Sequence, residues 1–105
     1  MTINLHNQFK RDFKALAKKY PSLEGDIDEL VISLLENPTQ GVSLGNNRFK
    51  IRLKITSKRQ GKSGGGRVIT YVKTADDTLW LLTMYDKSDM ENVSDGFLDD
   101  LVKLL

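Results

Sequence analysis

Apolar residues along the chain recur at two different spacings, and the change between them separates helices from strands. Three- and four-residue spacing from about Leu5 to Lys19, and again from about Leu23 to Glu36, predicts two helices. Pro21 separates them, because the residue before a proline is pushed out of helical geometry. The sequence therefore predicts an N-terminal αα-hairpin.

The middle of the chain has the two-residue period of β-strands. From Arg48 to Ile55 basic and apolar residues alternate without a break, which predicts one face toward the core and one cationic face. Two further strands, rich in β-branched and aromatic residues, are predicted from Arg67 to Lys73 and from Thr78 to Tyr85, with the Asp76-Asp77 pair turning between them. These three strands form an antiparallel meander.

The remaining segments complete a single α+β domain spanning residues 1–105. Asn37 to Asn47 has the composition of a connecting loop. Ser94 is an N-cap candidate for a short amphipathic helix ending near Leu105. The predicted fold is an αα-hairpin packed on a three- to four-stranded antiparallel sheet, followed by a short C-terminal helix.

Composition limits the chemistry that the chain can carry and its expected cellular location. The 105 residues include no cysteine, so disulfides and thiolate metal sites are excluded, and a reducing cytoplasm is the expected location. The N-terminus lacks the apolar core of a signal peptide, and no apolar run approaches the roughly 20 residues that span a bilayer. We expect a cytoplasmic protein with no membrane contact.

Charge is unevenly distributed, although the formal net charge is only +2. The segment from Asn37 to Ala75 contains no acidic residue, and this asymmetry is typical of proteins that bind polyanions. Its basic residues are Arg48, Lys50, Arg52, Lys54, Lys58, Arg59, Lys62, Arg67 and Lys73. Alternate residues on a strand lie about 6.6 to 7 Å apart, close to the spacing of successive phosphates. The alternatives are a solvated surface or an edge strand protected by its charges.

The loop from Ser57 to Gly66 is basic and rich in glycine. A phosphate-binding P-loop would need glycine where Thr56 stands, and the following segment is a predicted strand rather than a helix. Nucleotide hydrolysis by that route is therefore not expected. The loop is either a plain mobile hairpin tip or a place where the backbone approaches RNA.

Meander geometry brings the ends of the three strands together. The end of the first strand lies near the start of the second and the end of the third, so we expect the side chains of one cationic cluster to converge. The predicted cluster is Arg52, Lys54, Arg67, Tyr85 and Lys87. Alternatively, Tyr85 only packs and Lys87 only solvates a turn.

Other catalytic chemistries lack parts. His6 is the single histidine, so the sequence lacks the two histidines of a histidine-pair ribonuclease and the ligands of a zinc site. We therefore expect a structural role for His6. The serines have no histidine-acid partners in view. No nucleotide or metal cofactor is implied.

Four segments, in this order and spacing, resemble the RelE/ParE superfamily of bacterial toxin-antitoxin proteins, most closely its HigB or phage-protein branch. The segments are the helix of residues 9–20 ending in Lys-Lys-Tyr-Pro, the strand of residues 50–54, residues 61–69 and residues 81–88. The resemblance implies the RelE-like microbial ribonuclease fold. It also implies an mRNA endonuclease that acts in the ribosomal A site, needs no metal, and is silenced by a cognate antitoxin, typically a helix-turn-helix DNA-binding protein.

Site residues follow from the resemblance position by position. Arg67 matches the arginine of the family's central strand, and Lys87 the basic position ending the next strand. Arg52 and Lys54 match the basic first strand, and Tyr85 resembles the active-site aromatic. The remaining predicted RNA-binding residues are Arg48, Lys50, Lys58, Arg59, Lys62 and Lys73.

These residues suit cleavage by the RNA's own 2′-hydroxyl, which would exclude DNA as a substrate. Arg67 would stabilise the phosphorane charge, Lys87 or Lys54 would assist proton transfer, and Arg52 would hold phosphate. A gyrase-inhibiting toxin like the ParE branch and a non-catalytic RNA-binding regulator are the alternatives, because fold does not decide function.

Overall fold

A computed structural model describes residues 1–58 and 64–105 and has the predicted α+β architecture. Helices α1 and α2 lie between the first and second strands of a sheet, and a short helix α3 ends the chain. The elements are β1 (Thr2–Leu5), α1 (Asn7–Ala17), α2 (Leu23–Glu36), β2 (Val42–Gly45), β3 (Arg48–Leu53), β4 (Gly66–Lys73), β5 (Thr78–Asp86) and α3 (Asp95–Lys103). No helix in this part of the chain is long and apolar enough to cross a membrane.

The sheet differs from the prediction in strand number and direction. The antiparallel β3-β4-β5 meander is confirmed, but the sheet has five strands in the order β1-β5-β4-β3-β2 and is mixed, not purely antiparallel. Strand β1 runs parallel to β5, with Thr2 opposite Thr78. Leu5 was predicted to begin the first helix, and it ends β1 instead. Residues Thr2–Leu5 alternate polar and apolar, a strand pattern that the prediction did not use.

Strand β2 lies within the segment predicted to be a loop. It pairs with β3 across a two-residue connection, Asn46-Asn47, in which both residues have positive φ, at 53° and 62°. This is the backbone geometry of a type I′ hairpin turn, and asparagine tolerates it better than most residues. The asparagine pair was therefore a usable hairpin signal.

Two apolar layers hold the sheet. The α1-α2 hairpin packs on one face, where Phe9, Leu34 and Ile51 are buried, so the predicted inward-facing set of β3 is confirmed. Helix α3 packs on the opposite face through Leu98 and Leu101. The cationic face of β3 is therefore the face that α3 partly covers.

His6 joins β1, α1 and α3. Its Nδ1 accepts a hydrogen bond from the Gln8 backbone N–H (3.0 Å) and caps α1, while its Nε2 donates to the Leu101 carbonyl (2.9 Å). The ring is buried, and these two bonds satisfy both nitrogens of a neutral imidazole. This geometry agrees with the structural role expected for His6.

Candidate functional site

A row of three polar side chains crosses the sheet. In the strand register Arg52 of β3 lies opposite Arg67 of β4, and Arg67 lies opposite Tyr85 of β5. Directly opposed residues on neighbouring strands project to the same face, and the strands are about 4.8 Å apart. The two arginines and the tyrosine therefore lie side by side on the face that carries α3.

An open cavity of about 280 Å³ lies beside this row. Cations from three consecutive strands border it, so the predicted convergence of Arg52, Arg67 and Lys87 is present in the structure. The lining residues are Val42, Lys50, Arg52, Arg67, Lys87, Glu91 and Asn92.

The cavity lies at the end of β3 that the shorter strand β2 does not reach. Strand β2 pairs with β3 only from Arg48 to Lys50, which leaves the far end of β3 without a partner on that side. At the same end, the Lys87 N–H donates to the Gly65 carbonyl (3.0 Å) and holds the end of β5 against the start of β4. The basic side chains collect where the sheet is least covered.

Arg67 lines the cavity, and Tyr85 lies beside Arg67 on the neighbouring strand β5. Arg67 is only 5% exposed, and one of its guanidinium nitrogens donates to the Gly66 carbonyl (2.9 Å). Burial raises the pKa of the Tyr85 phenol, and the nearby Arg67 charge offsets part of that rise. Tyr85 is therefore a hydroxyl donor at neutral pH, and its O–H donates to the Glu91 carbonyl (3.1 Å).

The segment after β5 folds back over the cavity and contributes two residues that the sequence did not indicate. The Glu91 carboxylate accepts from Lys87 Nζ (2.9 Å), and Asn92 Oδ1 accepts from Lys50 Nζ (2.9 Å). The hydrogen bond from Lys87, together with the charges of Lys87 and Lys50, lowers the pKa of Glu91. Glu91 lies outside the basic segment of the sequence, and only the reversal of the chain after β5 places it here.

Two predicted RNA-binding residues are used in internal ion pairs. The Arg48 guanidinium is buried beneath α3 and pairs with Asp99 (2.6 Å). Lys58 pairs with the buried Asp86, and only 8% of its side chain is exposed. Neither residue presents its charge on the cationic surface as predicted. Strand alternation correctly gives the face on which Arg48 lies, but it carries no information about the helix that covers that face.

Other predicted residues lie away from the cavity. Lys54 is exposed beyond the end of β3 and borders a different pocket with Asp26 and Glu29. Lys73 ends β4, about 20 Å along the strand from Arg67, and pairs with Asp76 at 3.6 Å. Lys54 therefore shares a pocket with Arg52 but does not border the cavity lined by Arg67 and Lys87. Arg59 and Lys62 lie outside the described residues.

Asp86 anchors the structure next to the site. Its fully buried carboxylate accepts hydrogen bonds from Lys58, from the Tyr20 hydroxyl and from the Ser88 N–H and hydroxyl. Burial alone would raise the pKa of Asp86, but the hydrogen bonds from Lys58, Ser88 and Tyr20 outweigh it and hold the pKa well below its usual range. Asp86 thereby fixes the end of β5, from which Lys87 extends.

Comparison with solved structures identifies the fold of the chain. A mutant of the E. coli toxin RelE in its free state superposes with a TM-score of 0.63 at 12% identity, covering 99% of this chain and 96% of that chain. The chain has a RelE-like fold. A second structure, of isolated E. coli RelE, gives a TM-score of 0.61 at 12% identity and covers 99% of this chain and 98% of that one. No protein-family model matches the sequence.

Proposed function

We propose that this RelE-like chain is the toxin of a type II toxin-antitoxin system and that it cleaves mRNA in the ribosomal A site. The observation that supports this most directly is the single cavity bordered by Arg52, Arg67 and Lys87. Each of these cations comes from a different strand or strand end, so one phosphate placed in the cavity could contact all three.

The proposed chemistry is transesterification within the RNA. The 2′-hydroxyl attacks the adjacent phosphorus, so no protein nucleophile and no metal ion are required. Arg67 stabilises the charge that develops on the phosphorane, because a buried guanidinium is already oriented and needs little reorganisation. Arg52 and Lys50 hold the flanking phosphates, and Lys87 supplies the proton for the leaving oxygen.

Tyr85 has a supporting role in this proposal. Its hydroxyl is already bonded to the Glu91 carbonyl, and its ring is buried between β5 and α3. It therefore positions the segment that closes one side of the cavity. Lys54, which borders a different pocket, has no assigned proton-transfer role.

The partners follow from the same proposal. The shallow, open cavity can hold a phosphate, but it has few groups to align a whole RNA strand, so the ribosome is expected to position the mRNA. The cytoplasm is the proposed location because ribosomes are there. A cognate antitoxin, proposed to be a helix-turn-helix DNA-binding protein, would silence the toxin by covering the cationic surface with acidic residues.

Purified protein added to a cell-free translation reaction tests the proposal. Primer extension should reveal new mRNA 5′ ends inside codons, and only when ribosomes are present. Lys87→Ala and Arg67→Ala should each reduce cleavage at least 100-fold, whereas Lys103→Ala, an exposed lysine on α3, should not.

Thermal melts must accompany the Arg67 variant, since that side chain is buried. Folded Arg67→Ala and Lys87→Ala proteins that still inhibit growth would refute the proposed site. Intact mRNA combined with inhibited DNA supercoiling would indicate gyrase as the target instead.

A further inference from the structure

Glu91 is the one carboxylate among the described residues that line the cavity. A negative charge in a phosphate-binding site weakens binding of the substrate, because it repels the phosphate at short range. The cations around it would bind RNA more tightly without it. Its presence therefore calls for a function other than holding phosphate.

The position of Glu91 is set by three contacts to the site itself. Its own carbonyl accepts from the Tyr85 hydroxyl (3.1 Å), and its carboxylate accepts from Lys87 Nζ (2.9 Å). The next residue, Asn92, accepts from Lys50 Nζ (2.9 Å). Backbone and side chains together hold the carboxylate at the same cavity that Arg52 and Arg67 line.

The carboxylate is also available to a substrate. Its side chain is 79% exposed, whereas the Lys87 side chain is 27% exposed. Its lowered pKa keeps it ionised at neutral pH, the form that can accept a proton, and also makes it a weaker base than an ordinary carboxylate. A carboxylate base next to an ammonium acid is a complete pair for a reaction that removes one proton and returns another.

We infer that Glu91 is the general base of the RNA cleavage, an assignment that rests on the proposed nuclease function. The Glu91 carboxylate takes the proton of the 2′-hydroxyl as the 2′-oxygen bonds to phosphorus. Arg67 and Arg52 face the negative charge of the phosphorane. The bond from phosphorus to the 5′-oxygen then breaks, and that oxygen takes a proton from the Lys87 ammonium.

The protons balance across the pair. The products are a 2′,3′-cyclic phosphate and a 5′-hydroxyl, with Glu91 left protonated and Lys87 left neutral. Transfer of the proton from Glu91 to Lys87, which are in hydrogen-bond contact at 2.9 Å, restores both groups without a further reactant. The ion pair is thus the resting state of the catalytic pair.

Glu91→Gln tests the assignment, because the amide keeps an oxygen that can accept from Lys87 but does not serve as a base. Asp89→Asn is the matched control: it removes the same charge two residues away, at an exposed position outside the cavity lining. Single-turnover cleavage of mRNA on purified ribosome complexes should be measured across the acid-to-neutral range, along with RNA binding by each folded protein.

Glu91→Gln should cleave at least 100-fold more slowly than wild type, lose the fall in rate at acid pH, and bind RNA as tightly or more tightly. Asp89→Asn should cleave like wild type. A Glu91→Gln protein that cleaves as fast as wild type, or faster, would overturn the assignment and leave the nuclease function standing. If the wild-type protein cuts nothing on ribosomes, the proposed function fails and this assignment fails with it.

Discussion

At the scale of single residues, the most constrained group is the Asp86 carboxylate. It is buried, and Lys58, Tyr20 and Ser88 all donate to it. A buried charge is tolerated only when it is paired and hydrogen-bonded, and removing one partner leaves the other uncompensated. Because Asp86 ends β5 and Lys87 follows it, the same network also positions the lysine that we propose as the proton donor.

Asp86→Asn should lower the free energy of unfolding by about 3 kcal/mol at neutral pH, because Lys58 would remain buried without its counter-charge. Urea unfolding measures this change. Asp89→Asn, at an exposed neighbouring position, is the control and should change stability by less than about 0.5 kcal/mol. An equal effect in both variants would mean that the buried network contributes nothing specific.

The pH dependence of stability gives a second test of the same residue. Since folding lowers the pKa of Asp86, its contribution is present above the pKa of the unfolded chain, about 3.9, and is lost as pH falls toward the folded pKa. Wild type should therefore lose stability on acidification more steeply than Asp86→Asn. Parallel stability-against-pH curves for the two proteins would contradict this.

At the scale of elements, α3 decides how much of the cationic face remains open. It is attached by apolar packing, by the Ser94 N-cap, by the His6-Leu101 hydrogen bond and by the ion pair between Arg48 and Asp99. Strand alternation predicts that Arg48 binds RNA, but its ion pair with Asp99 attaches it to α3 instead. The cavity lies beyond the part of the face that α3 covers.

Asp99→Asn should destabilise the protein by about 1 to 2 kcal/mol, because the buried Arg48 guanidinium loses a charged acceptor that is itself half-exposed. Asp100→Asn is the matched control on the same helix, since Asp100 is 78% exposed and its ion pair with Lys103 is long, at 4.0 Å. Chemical denaturation of both variants measures the difference. Identical midpoints would show that the Arg48 pair does not anchor α3.

Over the whole molecule, basic residues dominate the middle segment of the chain and acidic residues its flanks. Folding brings only some of the basic residues together at the cavity. Lys50, Arg52, Arg67 and Lys87 border one cavity, while Arg48, Lys58 and Lys73 are paired with carboxylates elsewhere. The number of cations available to RNA at the site is thus smaller than the number in the sequence. Salt dependence of binding reports that number, because each neutralised phosphate releases counterions.

Binding of a short single-stranded RNA should weaken with salt with a log–log slope of about −2, the value for one central and two flanking phosphates at roughly −0.7 each. Lys50→Ala should reduce the magnitude of the slope by about 0.7, whereas Lys103→Ala should leave it unchanged. Fluorescence anisotropy at several salt concentrations measures both. An unchanged slope in Lys50→Ala would place the RNA on another surface.

Local structure could be predicted from the sequence alone. Helix α2 has its predicted bounds, the β3-β4-β5 meander is present, and Ser94 caps the last helix. These features depend on periodicity and on residues close in the chain. Strand register also follows from such patterns, which is why the positions of Arg52 and Arg67 could be expected.

Which cations face the cavity, and which form ion pairs with carboxylates elsewhere, depends on tertiary contacts. Arg48 meets a helix about 50 residues later in the chain, Lys58 meets Asp86, and the segment after β5 returns Glu91 to Lys87. Strand β1 likewise pairs with β5, which is distant from it in the chain. These contacts join residues whose separation in the chain leaves no periodic signal, so no local pattern encodes them.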